Sequence, residues 1–532
     1  MDRLSAIDAS FLYMETPESP MHVAGLAIFE PSGNGDEPVF ERFREHMAAR
    51  LHLLPFFERR LNLLPATLDN PVWVHDTDLD LDYHIRQMAL PRPGTMDQLR
   101  SLVARLHTVL LDRARPLWQY DVIQGLKGGG FAVYVKMHHA GIDGGAGVAA
   151  LDIIFASSPG PSTIAVPPRP RSARAQEPNV LELISGAYAE FYRQQLNMMT
   201  AWPAMSQAIA NVWRRTVEDL SRRPPPLSAP PKTLFNVSLS KQRSFGTASV
   251  SLSDVKALGK ASNAKVNDVV MAICAGALRR YLSQHKALPN EPLIAAVPVS
   301  LREAGDTAMN NQVTMMLCSL ATDVADPLQR LAAITAASRD AKARLGDVKD
   351  ALPKDISIFG APIIMTGLAQ WAERVKAADQ LPAMMNVLIS NVAGPRKPMY
   401  CAGAKCIGYF PVSIPAQGNA LNMTVHSYLD SLDFGLIACR EAVPDIQVMA
   451  DFLVDEFEAL KLAAKMPAGV AAVAQAPIAP AARAKPPKSL AKTAAAKSKA
   501  AKRHSEPVPA PGASRKGRPV KSANVAKRDA RK

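Results

Sequence analysis

Two adjacent histidines, His138 and His139, and an aspartate four positions on, Asp143, close the apolar run GGFAVYVKMHHAGIDGG. A neutral imidazole is the side chain best suited to take a proton from a hydroxyl near pH 7 and return one to a leaving group. The strand period of two puts Val133, Val135, Met137 and His139 on one face and Tyr134, Lys136 and His138 on the other, so the two histidines diverge. Divergence argues against a shared zinc ion, and no HExxH or cysteine pair supplies further ligands, so no metal is expected. One histidine is left for general-base work. Asp143 lies across a turn containing Gly141, Gly144, Gly145 and Gly147. It can orient the motif by pairing with an arginine, or hold an imidazole in its proton-accepting tautomer. With no GxSxG elbow and no cysteine that has an evident histidine partner, the markers of a nucleophilic serine or thiol are missing. Taken as chemistry, such a base suits acyl transfer without a covalent enzyme. Histidines in an apolar strand are also ordinary packed residues, and the residue types alone leave both readings open.

The elements that must hold these residues alternate in type. Strand-like runs such as MHVAGLAIFE and GFAVYVKMHH are interleaved with helical ones such as FERFREHMAARL and MDQLRSLVARLHTVLL. The mixture returns after residue 235, with a helix from Val266 through NDVVMAICAGALRRYLSQ, strands at LIAAVPVS, NQVTMMLCSL, NVLISNVAG and LNMTVHSYLDSLDFGLIAC, and a closing helix begun by Pro444 and Asp445. Between the halves, Pro-rich stretches at 157–178 and 222–232 bracket two amphipathic helical segments joined near Pro203. Those helices read as docked on the domains they connect, with a membrane-surface role as the alternative. The expected architecture is α+β: a first domain over 1–156, a linker over 157–235, a second domain over 236–466 and a disordered tail over 467–532, with a substrate cleft between the domains.

Composition bounds the rest. At 48% hydrophobic and 21% charged residues the chain has neither a disordered nor a membrane-spanning balance. Its formal charge of +14 resides in the tail, since from Ala471 onward 16 Lys and Arg face 2 Asp and Glu. Such a tail attracts polyanions without regard to sequence, whether anionic lipid or nucleic acid, or serves only as a solvated extension. Five cysteines form no CxxC pair, and the first residues lack the apolar core of a signal peptide, so a cytoplasmic chain with reduced thiols is expected.

His138, His139, Asp143 and Gly144 reproduce the HHxxxDG motif of the CoA-dependent acyltransferase superfamily, which includes chloramphenicol acetyltransferase and peptide-synthetase condensation domains. Further stretches narrow the resemblance: LSAIDASFLYMETPESPMHV, PLW at Pro116 to Trp118, VNDVVMAICAGALRRYL, VPVSLR, NVLISNVAGP and YFPVSIPAQGNALNMTVHSYLDSLDFGLIAC. In this order and spacing, over roughly residues 1 to 465, the chain resembles the bacterial wax ester synthase/diacylglycerol acyltransferase family. The resemblance implies two chloramphenicol-acetyltransferase-like domains of mixed sheets with flanking helices around an inter-domain tunnel. It implies transfer of a fatty acyl group from acyl-CoA, a co-substrate, to diacylglycerol or a long-chain alcohol, with no further cofactor. His139 would be the general base and His138 a supporting residue. Asp143 would be a structural aspartate with Arg302 as its partner, and Asn267 a donor to the oxyanion, or alternatively a helix N-cap, with Asp268 structural. Trp118 would shape the tunnel wall, and His426 is expected to be core.

The long basic tail departs from the family. It would hold the enzyme at the surface of the inner membrane or of lipid inclusions, with nucleic acid as the rival partner. Two other functions fit the same fold: a condensation-type acyltransferase using a carrier-protein thioester, and a non-catalytic lipid-binding protein.

Overall fold

The computed structural model describes residues 2–31, 38–62, 70–142, 144–160, 229–300, 313–349 and 361–466, with Ser185 and Tyr192 apart. The two expected linker helices, the basic tail, Asp143 and Arg302 lie outside the described residues. Residues 1–479 form one compact unit.

Two six-stranded mixed sheets organise that unit. The first runs in the order β12 (Tyr400–Cys401), β13 (Ala404–Val412), β2 (His22–Phe29), β7 (Phe131–His138), β6 (Trp118–Gln124), β5 (Ile85–Ala89). The second runs β10 (Val313–Ser319), β9 (Ile294–Ser300), β11 (Val387–Val392), β14 (Leu421–Tyr428), β15 (Ser431–Cys439), β8 (Arg243–Ser251). A small third sheet joins β1 (Asp2–Arg3), β4 (Val72–His75) and β3 (Arg59–Asn62). The segment after residue 236 therefore contributes to both large sheets, because β13 pairs with β2 and completes the first.

Six helices frame the site and its surroundings: α1 (Ala6–Met14), α2 (Met96–Leu106), α3 (Gly144–Ile154), α4 (Val266–Gln284), α5 (Ala361–Arg374) and α6 (Ile446–Ala463). Ser5 caps α1 by accepting from the Asp8 N–H at 3.1 Å, and Pro17 disfavours helical backbone at Thr16, just past the helix end. Helix α2 opens on a reciprocal capping box between Thr95 and Gln98. The closing helix differs from expectation at its start. Asp445 makes no side-chain cap; its Oδ1 instead accepts from the Tyr281 hydroxyl at 2.6 Å, a tertiary bond that outcompetes the local one.

The alternation of β7 sorts its side chains as its period requires. Val133, Val135 and Met137 join Phe29, Trp118, Tyr120 and Val122 in a core between the first sheet and its outer helices. Ala132 and Tyr134 face the other way and pack with Phe245 of β8 and Ile437 of β15 from the second sheet. The inner face of the first sheet is thus the surface on which the two halves meet.

Candidate active site

His138 is the last residue of β7, and its backbone is held by the Leu117 carbonyl at 2.9 Å while that of His139 donates to the Met21 carbonyl at 2.9 Å. The chain then turns sharply, with the Gly141 N–H donating to the His138 carbonyl at 3.1 Å. Gly141 has no room for a side chain there, because a methyl group would overlap the ring of Phe56. Helix α3 begins at the motif's own Gly144.

The two imidazoles part company, His138 closing the strand and His139 opening the turn. His138 is fully buried, its Nδ1 accepts from the Ala140 N–H at 3.0 Å, and its Nε2 therefore carries the ring proton. That Nε2 lies 3.2 Å from Oε1 of Glu15, whose side chain is also buried. Glu15 Oε1 accepts from the Met21 N–H at 3.2 Å, and Oε2 accepts from Arg113 Nη2 at 2.8 Å and Nε at 3.2 Å. Arg113 is anchored in turn to the Leu12 carbonyl at 2.7 Å. Burial by itself would raise the Glu15 pKa, but contacts with His138 and Arg113 outweigh it and hold the carboxyl down to about 2. The Glu15 carboxylate is charged throughout the neutral range and lies against the His138 imidazole, whose tautomer the Ala140 N–H sets.

His139 is only half-buried. Its ring stacks on Phe11 of α1, centroid to centroid at 4.1 Å and 14° from parallel. An imidazole held by its face and partly open to its surroundings can exchange a proton with a bound group. His138, fully enclosed, is not open to such an exchange.

Behind the pair, the inner face of the first sheet carries buried polar groups. His22 sits opposite His138 in the register and bonds the His107 carbonyl through Nε2 at 2.7 Å. His107 contacts the Tyr134 hydroxyl through Nδ1 at 2.8 Å and the Ser413 carbonyl through Nε2 at 2.9 Å, which ties the end of α2 to the loop after β13. Lys136 donates to the carbonyls of Leu106 at 3.2 Å and Val109 at 2.9 Å, and burial pulls its pKa down to about 8.

The remaining expected residues lie elsewhere. Asn267 is half-buried and falls inside the first turn of α4, whose N-cap is Lys265, so the N-cap reading of Asn267 does not hold. Asp268 does the capping work there: it is buried, and its Oδ2 accepts from the Lys265 N–H at 3.0 Å. Trp118 is not a wall residue but core. It is fully enclosed by Phe57, His84 and Tyr120, stacks on His84 at 4.2 Å and donates to the Phe57 carbonyl at 3.0 Å. His426 is core as well, 4.7 Å from the Tyr409 ring, with burial lowering its pKa to about 4. Sequence reasoning misses Glu15, Arg113 and Phe11. The available signal is the position of Glu15 at the exit of a short apolar helix, just where the chain turns towards β2.

Among the described residues no three His, Cys, Asp or Glu side chains converge to hold a metal ion, and no helix is long and apolar enough to cross a membrane.

Comparison with known proteins assigns the frame. Residues 4–270 match the wax ester synthase/diacylglycerol acyltransferase catalytic domain, and residues 309–461 match the C-terminal domain of the same proteins. A putative diacylglycerol O-acyltransferase of Mycobacterium bovis is 37% identical over 454 residues, covering 84% of this chain and 96% of that protein. An O-acyltransferase of Acinetobacter baylyi is 35% identical, covering 86% and 96%. Among solved structures, the wax ester synthase/diacylglycerol acyltransferase of Marinobacter aquaeolei superposes with a TM-score of 0.60 at 32% identity, over 87% of this chain and all of that one. The starter condensation domain of rhizomide synthetase follows at a TM-score of 0.51 and 12% identity over 87% and 94%, a likeness of fold alone. Matched along nearly all of its described length, the chain belongs to the wax ester synthase/diacylglycerol acyltransferase family.

Proposed function

We infer that this acyltransferase moves a fatty acyl group from acyl-CoA to the hydroxyl of diacylglycerol or of a long-chain alcohol, with His139 as general base. The observation that carries this reading is the contrast within the motif: His138 is buried beside the Glu15 carboxylate, whereas His139 is half-buried with its face against Phe11. His139 takes the proton of the acceptor hydroxyl as the oxygen attacks the thioester carbonyl. The tetrahedral intermediate then collapses, the carbon–sulfur bond breaks, and the imidazolium returns its proton to the departing CoA sulfur. No acyl-enzyme forms. A thiol of pKa about 8.5 leaves readily, so that last proton is the lesser demand.

In this reading Asn267 donates to the oxyanion, a contribution typically on the order of a hundredfold in rate. Asp143, paired with Arg302, orients the motif from outside the reacting groups. CoA and acceptor enter a tunnel between the halves, and the protein works in the cytoplasm at a membrane or lipid-inclusion surface, assisted by its basic tail.

The decisive experiment is CoA release by the purified protein given palmitoyl-CoA with dioleoylglycerol or hexadecanol, beside His139→Ala. Acceptor-dependent release that falls at least about a hundredfold in the mutant is expected. Release that survives the mutation would assign the base elsewhere, and no release from the unmutated protein with either acceptor would remove the reading.

A further inference from the structure

Helix α5 is built inside out. Ile364, Leu368, Trp371 and Val375 follow one another at intervals of four, three and four, which places them on one narrow stripe of the helix and its first following residue. That stripe faces solvent: Ile364 is 66% exposed, Leu368 58% and Trp371 57%. The half-buried positions on the opposite side are Thr366, Ala369, Ala372 and Glu373. The helix packs against α1, and among its described side chains the half-buried ones are small or polar while the large apolar ones point out. A helix settled only by water and its own core would have the reverse arrangement.

From these observations we propose that the outer stripe of α5 docks on an anionic phospholipid layer and presents the acyl acceptor to His139. The proposal rests on the acyltransferase reading above, because diacylglycerols and long-chain alcohols are held in lipid rather than in water. Three observations favour lipid. First, a tryptophan among aliphatic side chains on an exposed helical face is the composition of an interfacial helix. Second, the stripe is flanked by cations, with Arg374 and Lys376 exposed beside Val375 and Lys232 fixed nearby through its bond to the Asp379 carbonyl. The acid of this helix, Glu373, is half-buried on the inner side, where it hydrogen-bonds Glu18, and so is turned away from the stripe. Third, α5 leads to the site. Its neighbour α1 exposes Ile7 and Met14 on the same side of the helix as Phe11, and Phe11 is the ring on which His139 stacks. A second copy of the chain is a poorer occupant. One helix of this length offers a stripe about 21 Å long, on the order of 200 Å², against roughly 800 Å² per partner in a stable complex.

The test compares the full-length protein with the triple variant Ile364→Ser, Leu368→Ser, Trp371→Ser, by flotation with phosphatidylcholine/phosphatidylglycerol vesicles in high salt, which screens the basic tail. The variant is expected to bind at least about tenfold more weakly, given the apolar area removed, and to turn over a water-soluble short-chain alcohol at the unmutated rate. Independently, nitroxide-labelled lipid should quench a component of the fluorescence that is missing in Trp371→Phe. This second measurement leaves the stripe nearly intact and holds whether or not the triple variant folds. Equal flotation of both proteins, or no Trp371-dependent quenching, would overturn the proposal. So would an unmutated protein that ignores vesicles and forms a dimer that the triple variant splits, which would make the occupant a second copy. Failure of the unmutated protein to turn over the soluble alcohol would count against the acyltransferase reading and leave the flotation result to be judged by itself.

Discussion

Among the described residues each half of the molecule buries one glutamate against arginine, and the two pairs have different neighbours. In the second half Glu456 of α6 is held by Arg330 and, through Oε2 at 3.0 Å, by Arg280. It lies over Gly276 of α4 so closely that a methyl group at 276 would overlap its side chain. Everything it touches is architecture. In the first half Glu15 is held by Arg113 and faces His138, one residue from the proposed base. The chemistry of the two ion pairs is the same, and only the neighbour differs. A buried ion pair is in itself weak evidence of stabilisation, since desolvation offsets much of the attraction, but removing one partner leaves a charge stranded.

The contrast can be broken most strongly at Glu456. Glu456→Ala strands Arg330, which is 2% exposed, and should cost about 3–5 kcal/mol of stability in a denaturant melt. Turnover per folded molecule should be unchanged, and a loss of turnover at full stability would mean that this pair also serves the site. Glu15→Gln should cost turnover as well as stability. It keeps the shape and the contact with Arg113 but releases His138, so turnover should fall on the order of tenfold to a hundredfold through misplacement of the motif. Glu15 also carries a signature in pH. Its folded pKa lies below the ordinary 4.5, so its contribution is present above about 4.5 and is lost as the pH falls towards 2. The stability gap between the native protein and Glu15→Gln should therefore be largest near neutrality, about 3 kcal/mol, and close across that acid range. A gap that stays constant with pH would mean the charge is not what matters. The smallest effect is expected at Arg280, whose side chain is 43% exposed. Arg280→Ala should cost less than about 1 kcal/mol, because water screens that limb of the pair.

Much of the fold is legible because it rests on local periodicity. The alternation in FAVYVKMHH sends His138 and His139 to different environments, as β7 and the turn after it bear out. The alternating run at LNMTVHSYLDSLDFGLIAC forms the paired strands β14 and β15. Helix ends are less legible. Asn267 and Asp445 are both good capping types, but Asp268 takes the cap of α4 and Tyr281 takes the carboxylate of Asp445. Capping is worth about 1 kcal/mol, little enough for a single tertiary hydrogen bond to redirect it. Trp118 fails as a wall residue for a related reason: its strand fixes only which face it occupies, and that face belongs to the outer core.

By itself the sequence determined the element types, the motif and the divergence of its two histidines, because each follows from residues a few positions apart. Tertiary structure alone decided which buried charges meet and which apolar face stays outside. Glu15 and Arg113 are 98 positions apart, and no period in the chain brings them together. The stripe on α5 is as hydrophobic as a core face, and only the packing of the helix beside α1 turns it outward. Hydrophobic burial is non-directional, so a sequence can mark a helix face as apolar without specifying what will cover it.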